Sequence, residues 1–205
     1  MEKGLSPTKG NLIKARNTLE LSGQGFELMD KKRNILTSEM MALIDKAELV
    51  QSRIDSTFKD AYHALQSANI TLGISNVEQL GYTFSEDNSV DIRFRSVMGV
   101  DIPMVDYDKS PPEPKYGFSR TSSALDEAYE KFNQVKKLSA ELAEIENAVY
   151  RLAMNVIKTK KRANALKNII LPRYRGIVKH IQDYLEEKER ENFSRLKIIK
   201  ARKNS

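Results

Sequence analysis

A chain of 205 residues that is 30% charged and only 7% aromatic, with nine glycines and no tryptophan, lacks the bulky side chains that a thick globular core needs. Lys, Glu, Ala, Leu and Arg dominate its outer segments, so the composition predicts an elongated, mainly α-helical protein rather than a compact domain. The net charge is +6, and the absence of cysteine excludes disulfides, zinc–thiolate sites and cysteine nucleophiles.

Residues 1–25 hold Lys3, Lys9, Lys14 and Arg16 but no apolar core of signal-peptide length, and no run of about 18 apolar residues occurs anywhere. A soluble, non-secreted chain without direct membrane insertion is expected. Ser6–Pro7 reads as an N-cap followed by proline at the first helical position, which predicts a helix from residue 7 to 73. Leu12, Leu19, Phe26, Arg33, Met40, Ala47 and Ile54 recur every seven residues, with Ala15, Ser22, Met29, Leu36, Leu43 and Val50 as their companions. That is a heptad seam. Past Ile54 the stripe moves to Phe58, Ala61, Leu65, Ala68 and Leu72, a four-residue insertion that locally unwinds a supercoil, and Gly73 closes the helix.

Residues 74–120 form a connecting region. Val90, Ile92 and Phe94 alternate with Asp91, Arg93 and Arg95, and Val100 to Val105 follow after Met98–Gly99. This predicts a short β-hairpin over about 89–106, with Pro103 placing the second strand at an edge. Pro111, Pro112 and Pro114 mark a loop back to helix. A lone two-stranded hairpin is marginal in water, so this one is expected to lean on the helices or on another protein.

A second helix is predicted over 121–203. Thr121, Ser122 and Ser123 supply capping hydroxyls, and Asp126 and Glu127 suit the positive end of the helix dipole. Leu125, Ala128, Phe132, Val135, Leu138, Leu142, Ile145, Val149, Leu152, Val156, Ala163, Leu166, Ile170, Ile177 and Ile181 keep three–four spacing, interrupted at Thr159 and Arg173. Helices of roughly 65 and 80 residues would each span about 100–120 Å at 1.5 Å per residue, and neither is stable alone. The simplest burial packs them as a long antiparallel two-helix coiled coil from the N- and C-terminal segments. Pro172 falls inside the second helix, where an interior proline costs roughly 3 kcal/mol. Burial of a long seam offsets that, leaving two readings: a tolerated kink, or a bend that serves function.

In that pairing Pro7 lies opposite about Glu186, so the end of the second helix has no partner. Residues 192–203 combine Phe193, Leu196, Ile198 and Ile199 with five basic residues. Such an end frays unless something surrounds it, so it is expected to insert into a larger assembly.

Little points to catalysis. His63 and His180 are far apart in sequence, and residues 4–11, GLSPTKGN, lack both the glycine before the lysine and the Ser or Thr after it that a phosphate-binding loop needs. Gly23-Gln24-Gly25 lies inside a heptad helix and reads as a place for close helix approach. Glu186, Glu187, Glu189 and Glu191 alternate with Lys188 and Arg190 as solvated helix pairs do. No cofactor, metal or independent enzymatic activity is expected. From 147 to 182 there are nine basic residues and no acid, whereas 76–118 holds eight acids against four bases, so the two regions suit different partners. The basic zone has no interleaved aromatic platform, which favours an acidic protein surface over nucleic acid.

Residues 160–200, KKRANALKNIILPRYRGIVKHIQDYLEEKERENFSRLKIIK, resemble the C-terminal helix of the D subunit of the vacuolar and archaeal-type (V-type/A-type) rotary ATPases. The opening SPTKGNLIKAR is similar to the start of that family, apart from Lys9–Gly10 where members often carry Arg-Met, and GVDIP at 99–103 resembles its hairpin. The resemblance implies a non-catalytic central-stalk rotor shaft. It would transmit torque between the catalytic ring that synthesises or hydrolyses ATP and the ion-translocating membrane rotor. It implies as partners the catalytic and non-catalytic ring subunits, a small companion stalk subunit and a funnel-like subunit at the membrane rotor, with a cytoplasmic location peripheral to the membrane. By that likeness Lys160, Lys161, Arg162, Asn164, Arg173 and Arg175 are candidates for contact with the catalytic ring, and Ile92, Phe94, Val100 and Ile102 for a hairpin that influences activity; the residue pattern itself adds Phe193, Leu196 and Ile199 as ring contacts and Pro172 as a bend in the shaft. The alternative architecture is a prefoldin-like chaperone, which also joins long coiled-coil helices through β-hairpins.

Overall fold

The computed structural model describes residues 6–83, 90–107, 116–117 and 121–203; the proline-rich return with Pro111, Pro112 and Pro114 lies outside them. Helix α1 runs from Lys9 to Leu72, α2 from Ile74 to Gly81, β1 from Val90 to Val97, β2 from Val100 to Tyr107 and α3 from Ser123 to Ala165. A π-helical turn, Leu166–Ile170, then joins α3 to α4, Leu171–Lys203. The protein is mainly α, with long N- and C-terminal helices packed against each other and one antiparallel hairpin between them in sequence.

Helix α1 starts two residues later than the Ser6 cap predicts. Thr8 is the capping residue: its hydroxyl accepts the Asn11 N–H at 3.2 Å, three positions on, where an N-cap oxygen reaches. The Ser6 carbonyl instead accepts the Thr8 N–H and the Asn11 side-chain amide, both at 2.9 Å, so Pro7 stays outside the helix. At the other end Gly73 takes φ 85°, a left-handed conformation in which a Cβ is strained, and its N–H returns to the Asn69 carbonyl.

Helix α2 has no counterpart in the sequence reading. Its eight residues are too few to show a period, yet Val77 and Leu80, three apart, lie on a cluster of Ala68, Tyr116 and Leu125. Tyr116 donates its hydroxyl proton to Asp126 at 2.6 Å, in the first turn of α3. Burial pushes the Tyr116 hydroxyl above its ordinary pKa, and the hydrogen bond and negative charge of Asp126 push it the same way.

The chain divides into two compact units, Leu36–Asn155 and Met1–Ile35 with Val156–Ser205. This division cuts across the long helices, whereas the organisation expected from the sequence follows them in chain order. Inside the first unit the helices run antiparallel: Lys46 meets Glu141 at 2.6 Å and the Thr71 hydroxyl meets Ser122 at 3.3 Å. Its seam buries Leu36 and Leu152 completely, and Val50, Ile54 and Ile145 form a cluster flanked by Leu43, Ala47, Leu138, Leu142 and Val149. The heptad positions read from the sequence supply nearly all of these contacts.

Within the second unit Lys9 pairs with Glu189 at 3.1 Å, and Lys167 stands over the Phe26 ring at 5.7 Å, again antiparallel. Ala15, Thr159, Ala163, Leu171 and Ile181 are buried there. The close approach expected at Gly23–Gly25 does not occur. A Cβ on Gly25 would meet Leu166 Cδ1 at an ordinary 3.9 Å, and one on Gly23 would meet nothing. Gly23→Ala should therefore raise unfolding free energy by about 0.5–1 kcal/mol, because alanine loses less backbone freedom in a helix. Thermal denaturation followed by circular dichroism checks this, and a lowered midpoint would mean that the seam needs the missing Cβ.

Candidate functional site

Pro172 has no N–H to donate, so a regular helix would leave one carbonyl unpaired and press the ring on another. The turn before it is widened instead: the Leu171 N–H donates to the Leu166 carbonyl five residues back, closing a π turn, and the α pattern resumes around the proline. The extra residue widens the set of side chains that face inward. Leu171, Tyr174, Val178, Ile181 and Leu185 are buried or half-buried, Ile170 and Ile177 stay half-buried beside them, and Arg173 is exposed. The apparent interruption at Arg173 is thus the trace of a π turn that a uniform period does not reveal. Thr159, the other interruption, is 5% exposed and remains in the seam.

The basic candidates on both sides of the π turn face outward. Lys160, Lys161, Arg162 and Asn164 are exposed at the end of α3, and Pro172, Arg173 and Arg175 are exposed at the start of α4. No ion pair among the described residues neutralises Lys160, Lys161, Arg162 or Arg175. The result is a cationic collar around a two-helix pair, suited to an acidic surface.

Beyond the Lys9–Glu189 pair the end of α4 has no neighbour among the described residues. Every described residue from 186 onward is exposed, including Phe193, Leu196, Ile198 and Ile199. Phe193, Leu196 and Ile199 follow at three-residue steps along one side of the helix.

The hairpin splits its four candidates. Val97 pairs with Val100 across Met98 at φ 51° and Gly99 at φ 75°, a two-residue turn with both central residues left-handed. Val100 and Ile102 are buried, whereas Ile92 and Phe94 are more than half exposed. Sequence alternation misses this because it treats both strands alike. Helix α3 takes the outer edge of β2: Glu144 accepts the Val105 N–H at 2.7 Å, and Arg151 donates to the Asp101 carbonyl at 3.1 Å. Glu144 and Arg151 are two helical turns apart, about 10 Å, and their side chains reach outward backbone groups four residues apart on β2, about 13 Å. Arg151 also covers the Phe94 ring at 5.3 Å. The leaning expected of a marginal hairpin is therefore an edge-on dock.

A shallow apolar groove of about 690 Å³ lies between α1 and α3 in the same unit, lined by Ile44, Ala47, Leu142, Val149, Tyr150 and Ala153 among others. No group of His, Asp and Glu among the described residues could hold a metal ion, and no helix among them is long and apolar enough to cross a membrane.

The family model for the D subunit of ATP synthase matches residues 11–201. The chain belongs to the ATP synthase D-subunit family. It is 43% identical over 198 residues to the V-type ATP synthase D subunit of Thermotoga neapolitana, covering 97% of this chain and 98% of that one. The A-type ATP synthase D subunit of Pyrococcus furiosus is 35% identical over 200 residues, 96% of this chain and 94% of its own, and that of Methanobrevibacter smithii 36% over 201 residues, 97% and 87%. Membership of this family leaves the prefoldin-like alternative without support.

Glu144→Ala should release the β2 edge. The Val105 amide would then exchange with solvent about tenfold faster, the equivalent of one hydrogen bond to a charged group, while the helical signal stays unchanged. Amide exchange followed by NMR reads this directly, and unaltered protection at Val105 would mean that the dock rests on side-chain burial alone.

Proposed function

We propose that this chain is the central-stalk component of a V/A-type rotary ATPase, a non-catalytic shaft that carries torque between the catalytic ring and the ion-translocating membrane rotor. What carries the reading is its membership of the D-subunit family over nearly its whole length, joined to a C-terminal helix end whose apolar face has no partner among the described residues. A rotating element needs stiffness, which packed heptad seams supply, and an end housed in a sleeve that it does not grip covalently.

On this reading Phe193, Leu196 and Ile199 turn inside the apolar bore of the ring. Lys160, Lys161, Arg162, Asn164, Arg173 and Arg175 face acidic stretches of the catalytic and non-catalytic subunits, where long-range attraction holds the shaft without locking it to any one of them. The groove between α1 and α3 suits a third helix, which makes it the candidate seat of the small companion stalk subunit. The middle of the chain faces the funnel-like subunit at the membrane rotor. The protein works in the cytoplasm, peripheral to the membrane. Pro172 and the π turn before it bend the shaft, and a bent axis presents different faces to successive members of the ring.

Added to isolated catalytic heads, the purified chain should support rotation and change ATP hydrolysis, and a chain lacking residues 192–205 should lose both while keeping its helical content. Full activity of the shortened chain would end the proposal that this end seats the shaft.

Pro172→Ala restores an N–H and lets the π turn relax to regular helix. Scattering from the free chain should register a straighter axis, and turnover of the assembled complex should change. Unaltered curvature and kinetics together would count against a functional bend.

A further inference from the structure

A two-stranded sheet has two edges, and the described residues cover only one. The outer row of β2 meets Glu144 and Arg151 of α3. In a hairpin closed by a two-residue turn, the pair flanking the turn is hydrogen-bonded, so Val97 and Val100, then Arg95 and Ile102, exchange ladder bonds. Val90, Ile92, Phe94 and Ser96 therefore aim their N–H and C=O groups away from β2. Among the described residues nothing accepts or donates to them, and β1 is exposed along its length except for half-buried Val97.

Charged Asp91, Arg93 and Arg95 are the one protection that β1 carries: it has no proline and no bulge, and among the described residues no helix covers its outer side. Its two faces also differ. Ile92 and Phe94, 56% and 59% exposed, share one face. On the other, Arg93 is already balanced by Asp91 at 3.7 Å and Asp106 at 3.1 Å, whereas Arg95 has no carboxylate beside it among the described residues.

We infer that the β1 edge is a strand-addition site for an extended segment of a partner polypeptide in which apolar and acidic residues alternate. The backbone row supplies four donor–acceptor positions at two-residue steps, about 7 Å apart. Apolar side chains of the added strand extend the surface of Ile92 and Phe94, and its carboxylates meet Arg95 on the opposite face. This goes beyond the stalk reading and does not depend on it, because binding is read on the isolated chain.

The probes are a fluorescein-labelled octapeptide of alternating Val and Glu and its Val–Lys counterpart, titrated against the full chain with anisotropy as readout. The acidic peptide should bind and the basic one should not. Ser96→Pro removes one outward N–H without touching the ladder and should weaken binding about tenfold, whereas Ser96→Ala should leave it unchanged. Arg95→Glu, which keeps the backbone edge, should transfer the preference to the Val–Lys peptide, so the proposal stays testable if the proline variant folds poorly. Equal binding of both peptides, no binding, or indifference to both substitutions would overturn it. So would sedimentation showing a dimer of the chain that Ser96→Pro dissolves, which would give the edge to a second copy.

Discussion

Helices in water gain little from their own hydrogen bonds, because each bond replaces one to solvent and every ordered residue loses conformational freedom. For α1, with 64 residues, and for α3, with 43, the apolar seam must therefore supply the stability. Every other feature depends on that seam. The cationic collar can face outward only because Thr159, Ala163 and Leu171 face inward, and the hairpin has a place to dock only because the buried face of α3 holds its outer face, with Glu144 and Arg151, toward β2. A seam of Leu, Ile, Val and Ala also tolerates charge on the remaining surface, which explains how a chain with 34 basic and 28 acidic side chains folds without a thick core.

The division of labour along the chain follows. Where both helices contribute to the seam, surface side chains such as Lys46 and Glu141 make exposed pairs that add little energy but agree with the antiparallel direction. Where α1 has ended, α4 continues alone and its apolar residues meet no other element among the described residues. An unsatisfied stripe at the end of a well-satisfied one is a feature of assembly components rather than of free-standing proteins. It argues for a larger complex independently of the family relationship.

Much of this was legible in the sequence because heptad spacing is a strong signal when it persists. Leu36, Val50, Ile54, Ile145 and Leu152, picked by period alone, are among the most buried residues. The hairpin was legible for the same reason at a period of two, and Met98–Gly99 marked its turn. What stayed hidden was anything that periodicity averages away. Helix α2 is shorter than the window a period needs. The cap lies at Thr8 rather than Ser6 because both residue types cap well and only geometry chooses between them. The unequal burial of Ile92 and Phe94 against Val100 and Ile102 depends on which edge α3 approaches, and strand alternation carries no such information. Of the candidate residues for contact with other subunits, the sequence supplied charge and exposure; which of them touch a partner is a property of the assembly.

The two prolines at 103 and 172 share one physical logic. Each lacks an N–H, and each sits where that loss removes no needed bond. Pro103 pairs with Phe94 at a position whose backbone points away from the ladder, so β2 keeps every bond to β1 while α3 serves the outward groups at Asp101 and Val105 on either side. Pro172 follows a π turn in which the Leu171 N–H has already been claimed five residues back, so the helix passes the proline by spending one residue on a wider loop. That residue changes which side chains face inward. Leu171 enters the seam and Arg173 leaves it. A substitution that removes the need for the π turn thus acts on the collar as well as on the helix axis, since it would rotate the basic residues after 170 relative to those before 166. Charge placement and axis geometry are coupled through a single missing hydrogen.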